Sequence, residues 1–246
     1  MNKEKLQKLF SKTFNGTKKE YFEILKQNLL KEEKTFVVTA NPEAFTIATQ
    51  DDDYMKMLSS QETSIVPDGI GLIKAGNILN YNFKERIPGV DIADELLKLA
   101  NQYEKEVYLF GAKKEVLEQL KEKIKNQYPN LVLVGKQNGY VSNKNLVFKD
   151  IIKKEPDIVL VALGMPLQEK LIYQNLNKFK KGIFVGVGGS FDVLSGTIKR
   201  APQLFIKLNL EWLYRIIKEP KRLKRFYNNN VKFILKVKKI ANKNNF

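Results

Sequence analysis

The chain has 246 residues, of which 43% are hydrophobic, so it is long and apolar enough to form one large domain or one domain with an appendage. It contains neither cysteine nor histidine, which excludes disulfides and thiolate catalysis and argues against a zinc site. Any acid–base chemistry must therefore use Asp, Glu, Lys or Tyr. No window approaches the roughly 18 apolar residues that span a bilayer, and the N-terminus is too charged for a signal peptide, so we expect a cytoplasmic protein.

The net charge of +16 is concentrated near the C-terminus. From Lys199 onward there are 14 of the 43 Lys and Arg residues but only 2 of the 27 Asp and Glu residues. A basic tail of this kind predicts an anionic partner, which is a nucleic acid, an acidic membrane surface or a phosphorylated substrate. The alternative is that the whole chain is simply rich in lysine.

Residues 1–33 show the pattern of two amphipathic helices joined near Asn15 and Gly16. Short apolar runs then alternate with helical segments, which predicts an α/β, Rossmann-like parallel sheet with helices on both faces, over residues 1–196. Asn41 and Asp91 are predicted to cap the helices that follow them. The predicted strands are 35–39, 64–66, 106–110, 131–134, 157–163 and 182–187.

The pattern changes after Gly196, because residues 202–240 have helical periodicity and no strand signal. We assign residues 197–246 to a basic helical appendage, which either lies in a membrane interface or packs on the body with its cations solvated. Its predicted apolar stripe is Leu223, Tyr227, Ile234 and Val237, and the neighbouring basic stripe is Arg222, Arg225, Lys232, Lys236 and Lys239.

Polar residues recur where the predicted strands end. Ligands of open α/β sheets bind at the carboxyl ends of the strands, so these residues predict one shared pocket. Each also has a local explanation as a cap or turn, and their joint placement favours function. They are Thr39, Asn41, Asp68, Arg86, Asp91, Gln168 and Glu169, with Gly164 in GMPLQE.

Glycine-rich loops add weaker signals. In GVGGSFD, the backbone N–H groups around Gly188 and Gly189, beside Asp192, are suited to a diphosphate. Gly111 in LFGA and Tyr140 in GKQNGY are candidates for holding a base or ribose. None of these loops is a Walker loop or a dinucleotide fingerprint. Asp51–Asp53 lies inside a predicted helix, so it predicts a solvated face rather than a metal site.

In this order, the motifs resemble the WecG/TagA/CpsF glycosyltransferase family, and most closely its TagA-type N-acetylmannosaminyltransferases. The resemblance covers roughly residues 35–227. It is carried by TANPEAF (39–45), VPDGIG (66–71), ERIPGVD (85–91), LFGA (109–112), NGY (138–140), DIVLVALGMPLQEK (157–170), GVGGSFDVLSGTIKRAP (186–202) and LEWLYRIIKEPKRLKR (210–225).

The resemblance implies a Rossmann-like, inverting hexosyltransferase that needs no metal or other cofactor. N-acetylmannosamine would move from UDP-N-acetylmannosamine to the C4 hydroxyl of undecaprenyl-diphosphate-N-acetylglucosamine, the first committed step of wall teichoic acid linkage-unit synthesis. The implied partners are this UDP-sugar donor, the polyprenyl-diphosphate-linked acceptor and the anionic inner face of the cell membrane, with self-association possible and no nucleic acid bound.

The resemblance also implies residue roles. Asp68 matches the catalytic base, and Thr39 and Gln168 match residues near the nucleotide sugar. Arg215, Arg222 and Arg225 match appendage arginines that reach the diphosphates. A carboxylate base and cationic neutralisation of UDP agree with a chain that lacks histidine and is rich in arginine at its C-terminus.

Alternatives remain at this point. The donor can instead be a UDP-linked N-acetylmannosaminuronic acid or glucose. The basic tail, with Trp212, Tyr214, Phe226 and Tyr227 nearby, also fits a nucleic-acid-binding protein. A dinucleotide-dependent oxidoreductase is disfavoured because TANPEAF lacks a glycine fingerprint. An inactive assembly partner is disfavoured because Asp68 and Gln168 are present.

Overall fold

Six parallel strands form one open sheet in the computed structural model, which describes residues 2–242 and, for Arg222, the backbone alone. They are β1 (Thr35–Ala40), β2 (Thr63–Pro67), β3 (Glu106–Gly111), β4 (Val132–Gln137), β5 (Ile158–Ala162) and β6 (Ile183–Gly186). The order across the sheet is β2-β1-β6-β5-β3-β4, and each neighbouring pair is parallel. The predicted Rossmann-like α/β fold and its six strands are confirmed.

Helices connect the strands and cover the sheet. Those before β3 are α1 (Lys3–Lys12), α2 (Lys18–Leu30), α3 (Pro42–Gln50), α4 (Asp52–Ser59), α5 (Ile70–Ile78) and α6 (Gly89–Gln102). Those between β3 and the tail are α7 (Lys114–Gln127), α8 (Lys144–Lys154), α9 (Leu167–Leu176) and α10 (Ser190–Leu194). The tail contains α11 (Gln203–Lys207), α12 (Glu211–Lys218), α13 (Arg222–Phe226), a π-helical turn (Tyr227–Val231) and α14 (Lys232–Asn242).

The sheet is buried on both faces, which explains why its strands read as nearly continuous apolar runs. In β1, Phe36 and Val38 point into the core under α1, α3, α4 and α9, whereas Val37 points into the core under α2, α6 and α7. All three side chains are fully buried. The two N-terminal helices, predicted from periodicity, lie on opposite faces of the sheet.

The two predicted helix caps, Asn41 and Asp91, can be compared with the observed starts of α3 and α6. Asn41 caps α3 as predicted, because its Oδ1 accepts hydrogen bonds from the backbone N–H groups of Glu43 and Ala44. The predicted cap at Asp91 is wrong, since α6 begins two residues earlier at Gly89, after Pro88. Proline fixes φ near the helical value, which suits it to this entry, and Asp91 instead lies in the favourable first turn.

The tail is helical and basic as predicted, but the predicted apolar stripe is only partly right, since Val237 is buried and Ile234 is half-buried. The π turn places an extra residue in the helical run from Arg222 to Asn242 and so changes its phase. Phe233 and Val237 pack on the body beside α5 and are buried, whereas Leu223 and Tyr227 are more than half exposed. The assignment of residues 1–196 and 197–246 to separate units stays a prediction.

Within residues 2–242, no helix combines the length and the apolar character that crossing a membrane requires.

Candidate active site

A cleft of about 450 Å³ opens at the carboxyl ends of β2, β1, β6 and β5, within the range of small-molecule sites. The body supplies its floor and the tail supplies one wall. Ten of the predicted site residues line it, namely Thr39, Asn41, Asp68, Arg86, Gly164, Gln168, Gly188, Gly189, Arg215 and Arg225. The structure brings these residues together in one cleft, while their individual roles stay predictions.

Asp68 directly follows β2, and its position is fixed by the backbone. Its N–H donates to the carbonyl of Ala40 at 2.7 Å, and Gly69 turns the chain with φ of +106°, a conformation that favours glycine. The Asp68 side chain is 32% exposed, so the carboxylate faces the cleft. Burial raises its pKa above the ordinary value, although the charge of Arg86 acts in the opposite direction. A carboxylate with these properties is suited to accept a proton.

A chain of charges connects this carboxylate to the tail. Arg86 Nε lies 4.0 Å from Asp68 Oδ1, and Arg86 Nη2 donates to Glu211 Oε2 at 2.6 Å. The other oxygen of Glu211 accepts from Arg215 Nη2, also at 2.6 Å. Burial alone raises the pKa of Glu211, but the hydrogen bond from Arg86 and the charge of Arg215 outweigh it and lower that pKa. Glu211 is therefore a charged group that joins two cleft arginines.

Gln168 joins the two glycine-containing loops of the cleft. Its Oε1 accepts from the N–H groups of Gly164 and Gly188, both at 3.0 Å, and its Nε2 donates to Glu169 Oε1 at 2.6 Å. Gly186 permits this arrangement, because a Cβ there would lie 2.7 Å from Gln168 Nε2. The buried amide thus sets the relative position of the loops that follow β5 and β6.

The first strand ends with two groups that face the cleft. Thr39 Oγ1 donates to the carbonyl of Gly186 at 3.4 Å, which places a hydroxyl between β1 and β6. Asn41 lines the cleft, and its amide oxygen also caps α3. Its role as a helix cap is therefore confirmed, while its role in substrate binding stays a prediction.

The tail adds a cation and an aromatic pair to the wall. Arg225 Nη2 donates to Glu43 Oε2 at 2.9 Å, and the Arg225 side chain is 69% exposed. Trp212 and Phe226 stack with ring centroids 4.3 Å apart and an interplanar angle of 8°. The side chain of Arg222 lies outside the described part of the structure.

Five other predicted residues do not line the cleft. Asp91 pairs with Arg200 at 2.6 Å and Lys18 at 3.2 Å. Tyr140 is 76% exposed, and Glu169 is buried beneath Gln168. A Cβ at Gly111 would lie 2.3 Å from the Ala162 carbonyl oxygen, so the close approach of two strands explains why glycine stands at this position. The remaining one is Asp192, in the first turn of α10.

The structure also adds residues that the pocket prediction missed. Glu43 and Glu211 belong to the motifs NPEAF and LEWLYR, and for Glu211 the available signal was its position one helical turn before the predicted cation Arg215. Trp212 was noted only among the aromatics of the tail. Asn229 and Asn230 reach the cleft from the π turn, and no local sequence signal distinguishes them.

Comparison with known proteins agrees with this geometry. The model of the glycosyl transferase WecG/TagA/CpsF family matches residues 8–245. The chain is 46% identical over 189 residues, 77% of this chain and 73% of the relative, to the N-acetylglucosaminyldiphosphoundecaprenol N-acetyl-beta-D-mannosaminyltransferase of Bacillus subtilis (strain 168). It is 38% identical, over 85% of this chain and 81% of the relative, to the identically named protein of Staphylococcus aureus (strain MW2).

These relatives do not favour the nucleic-acid-binding alternative. The chain belongs to the WecG/TagA/CpsF family of glycosyl transferases.

Proposed function

We propose that this protein transfers N-acetylmannosamine from UDP-N-acetylmannosamine to the C4 hydroxyl of undecaprenyl-diphosphate-N-acetylglucosamine. The observation that carries the proposal is the placement of the Asp68 carboxylate beside a wall of tail and body arginines in one cleft. The printed names of the relatives support the acceptor and the transferred sugar.

Asp68 acts as the general base. As the acceptor hydroxyl oxygen attacks the anomeric carbon, its proton moves to the Asp68 carboxylate and the bond from that carbon to the UDP oxygen breaks. Attack opposite the leaving group inverts the anomeric centre. The raised pKa of Asp68 makes it a stronger base than an ordinary aspartate, and general bases typically contribute about 10²- to 10⁴-fold to rate.

The departing UDP gains negative charge, and the presence of Arg86, Arg215 and Arg225 in the cleft lining supports the proposal that these cations stabilise it. A preorganised group of this kind typically contributes about 3–4 kcal/mol to the transition state. The exposed pair between Arg225 and Glu43 is weak enough to exchange for a phosphate, because exposed ion pairs contribute at most about 1 kcal/mol. The pair between Glu211 and Arg86 is nearly buried and does not exchange in the same way, whereas the Arg215 side chain is partly exposed.

We further propose that the enzyme works without a metal ion, since fixed cations serve the role that a divalent ion would have on the diphosphate. Activity in the presence of EDTA tests this directly.

The acceptor carries a polyprenyl chain, and we propose that the tail brings the cleft to the anionic inner face of the cell membrane. Apolar side chains of α11–α13 and the segment between α11 and α12 are largely exposed amid lysines and arginines, a composition typical of interfacial helices. They are Leu204, Leu208, Ile217 and Leu223. Self-association of the body stays a prediction, which size-exclusion chromatography with light scattering checks.

The decisive assay measures UDP release from UDP-N-acetylmannosamine with the lipid-diphosphate-N-acetylglucosamine acceptor and EDTA. We expect acceptor-dependent release by the wild type and a loss of about 10²- to 10⁴-fold in Asp68→Asn, because the amide cannot take the proton. Release only with the UDP-linked uronate or glucose would change the donor and keep the mechanism. Absence of release with every UDP-sugar would contradict the proposal.

A further inference from the structure

Glu211 is the most buried charged group of the cleft, with 4% of its side chain exposed. It is the first residue of α12 and receives one arginine on each carboxylate oxygen. Arg86 comes from the body and Arg215 from the next turn of α12. Both contacts are 2.6 Å long, which is short even for charge-assisted hydrogen bonds.

Arg86 depends on such a partner for its position. It lies in a segment between α5 and α6 without regular secondary structure, and the N–H of Ile87 ties this segment to the carbonyl of Pro67 at 2.8 Å. Beyond that tie, the guanidinium has Asp68 at 4.0 Å and Glu211 at 2.6 Å. Because 4.0 Å is beyond hydrogen-bond length, Glu211 sets the orientation of Arg86.

We propose that Glu211 is a positioning residue, which holds Arg86 and Arg215 in one fixed arrangement beside Asp68 and fastens α12 to the body. This inference rests on the proposed function, in which both arginines stabilise the departing diphosphate. In this role Glu211 acts through the two arginines and not directly on the sugar or the phosphates. A displacement of about 1 Å in catalytic groups costs on the order of 10²-fold in rate, so losing the bridge should mainly lower kcat.

The charges that act on Asp68 give a second readout. Among the described residues, the identified charges are those of Arg86, Glu211 and Arg215, and the N–H of Gly89 also bonds to the carboxylate. Arg86 lowers the pKa of Asp68, whereas Glu211 raises it. Neutralising these two residues should therefore move the acidic limb of the pH–rate profile in opposite directions.

The test compares Glu211→Gln with the wild type and with Glu118→Gln, a matched acid-to-amide change that also removes an ion pair, with Lys136, away from the cleft. We expect Glu211→Gln to lower kcat by about 10- to 100-fold with a smaller change in donor KM. The acidic limb of the pH–rate profile should shift to lower pH in Glu211→Gln and to higher pH in Arg86→Gln. Glu118→Gln should match the wild type in all three quantities.

Trp212, the sole tryptophan, adjoins Glu211 and gives a readout without turnover. In Glu211→Gln, we expect greater quenching of its fluorescence by acrylamide, because α12 is no longer fastened to the body. Should that variant fail to fold by circular dichroism, Glu211→Asp replaces it, since its shorter side chain keeps the charge but cannot reach both arginines.

A folded variant at residue 211 with wild-type kcat, pH profile and Trp212 quenching would overturn the positioning role. Inactivity of the wild type with every donor would instead refute the proposed function, so the two failures are distinguishable.

Discussion

Glu169 shows how one buried carboxylate is affected by its surroundings. Burial raises its pKa to about 7, against the opposing hydrogen bond from Gln168, and its Oε2 has no hydrogen-bond partner. Gln168 in turn bonds to Gly164 and Gly188. The protonation of Glu169 is therefore connected to the loops that form the cleft.

Glu169→Gln should stabilise the fold at pH 8 and have little effect near pH 5. The folded protein binds the proton of Glu169 more tightly than the unfolded chain, so the wild type loses stability as pH rises from about 4.5 to about 7. This pKa shift corresponds to a loss of roughly 3 kcal/mol in the free energy of unfolding of the wild type. Urea unfolding of both proteins at the two pH values checks this. An equal difference in unfolding free energy at both pH values would contradict it.

At the scale of elements, the strands were predictable because parallel strands buried on both faces have a local apolar signature. The phase of the tail was not, because the π turn over Tyr227–Val231 has no comparable signature. The contact between Arg86 and Glu211 joins residues 125 positions apart, so no local pattern reveals it. The sequence thus predicts which residues gather at the strand ends, and not how their charges pair.

Phe233→Ala should destabilise the protein by about 3–5 kcal/mol, because this ring is 2% exposed and packs edge-on to Phe45 with centroids 6.4 Å apart. The transferase activity should fall together with the stability, because α14 directly follows the π turn that carries Asn230 into the cleft. Leu235→Ala, on the same helix but 55% exposed, is the control and should change stability by less than about 0.5 kcal/mol. Urea unfolding and the UDP-release assay measure both effects, and equal stabilities of the two variants would refute this packing.

At the scale of the whole molecule, the tail that carries most of the excess positive charge and several exposed apolar side chains also supplies residues to the cleft wall. In the proposed function, this tail has two tasks, substrate binding and attachment to the membrane. The proposed membrane contact needs both the cations and the apolar side chains, because neither gives stable binding alone.

Replacing both Leu208 and Ile217 by serine should lower partitioning onto vesicles that contain anionic phospholipid by at least tenfold, since each buried aliphatic side chain contributes about 1.5–3 kcal/mol. Vesicle sedimentation measures the partitioning, and added salt should weaken it for the wild type. Leu146→Ser is the matched control, because Leu146 is 57% exposed but lies on α8 of the body. Equal losses in the double variant and the control would contradict attachment through the tail.

The π turn has a consequence for insertions and deletions. An α-helix advances by about 100° per residue, so one residue more or fewer in the run Asn228–Asn230 would rotate α13 relative to α14, which Phe233 and Val237 hold against the body. Arg225 would then point away from the cleft although this arginine itself had not been substituted. The spacing from this arginine to the buried pair is thus as much a determinant of the cationic wall as the arginine itself.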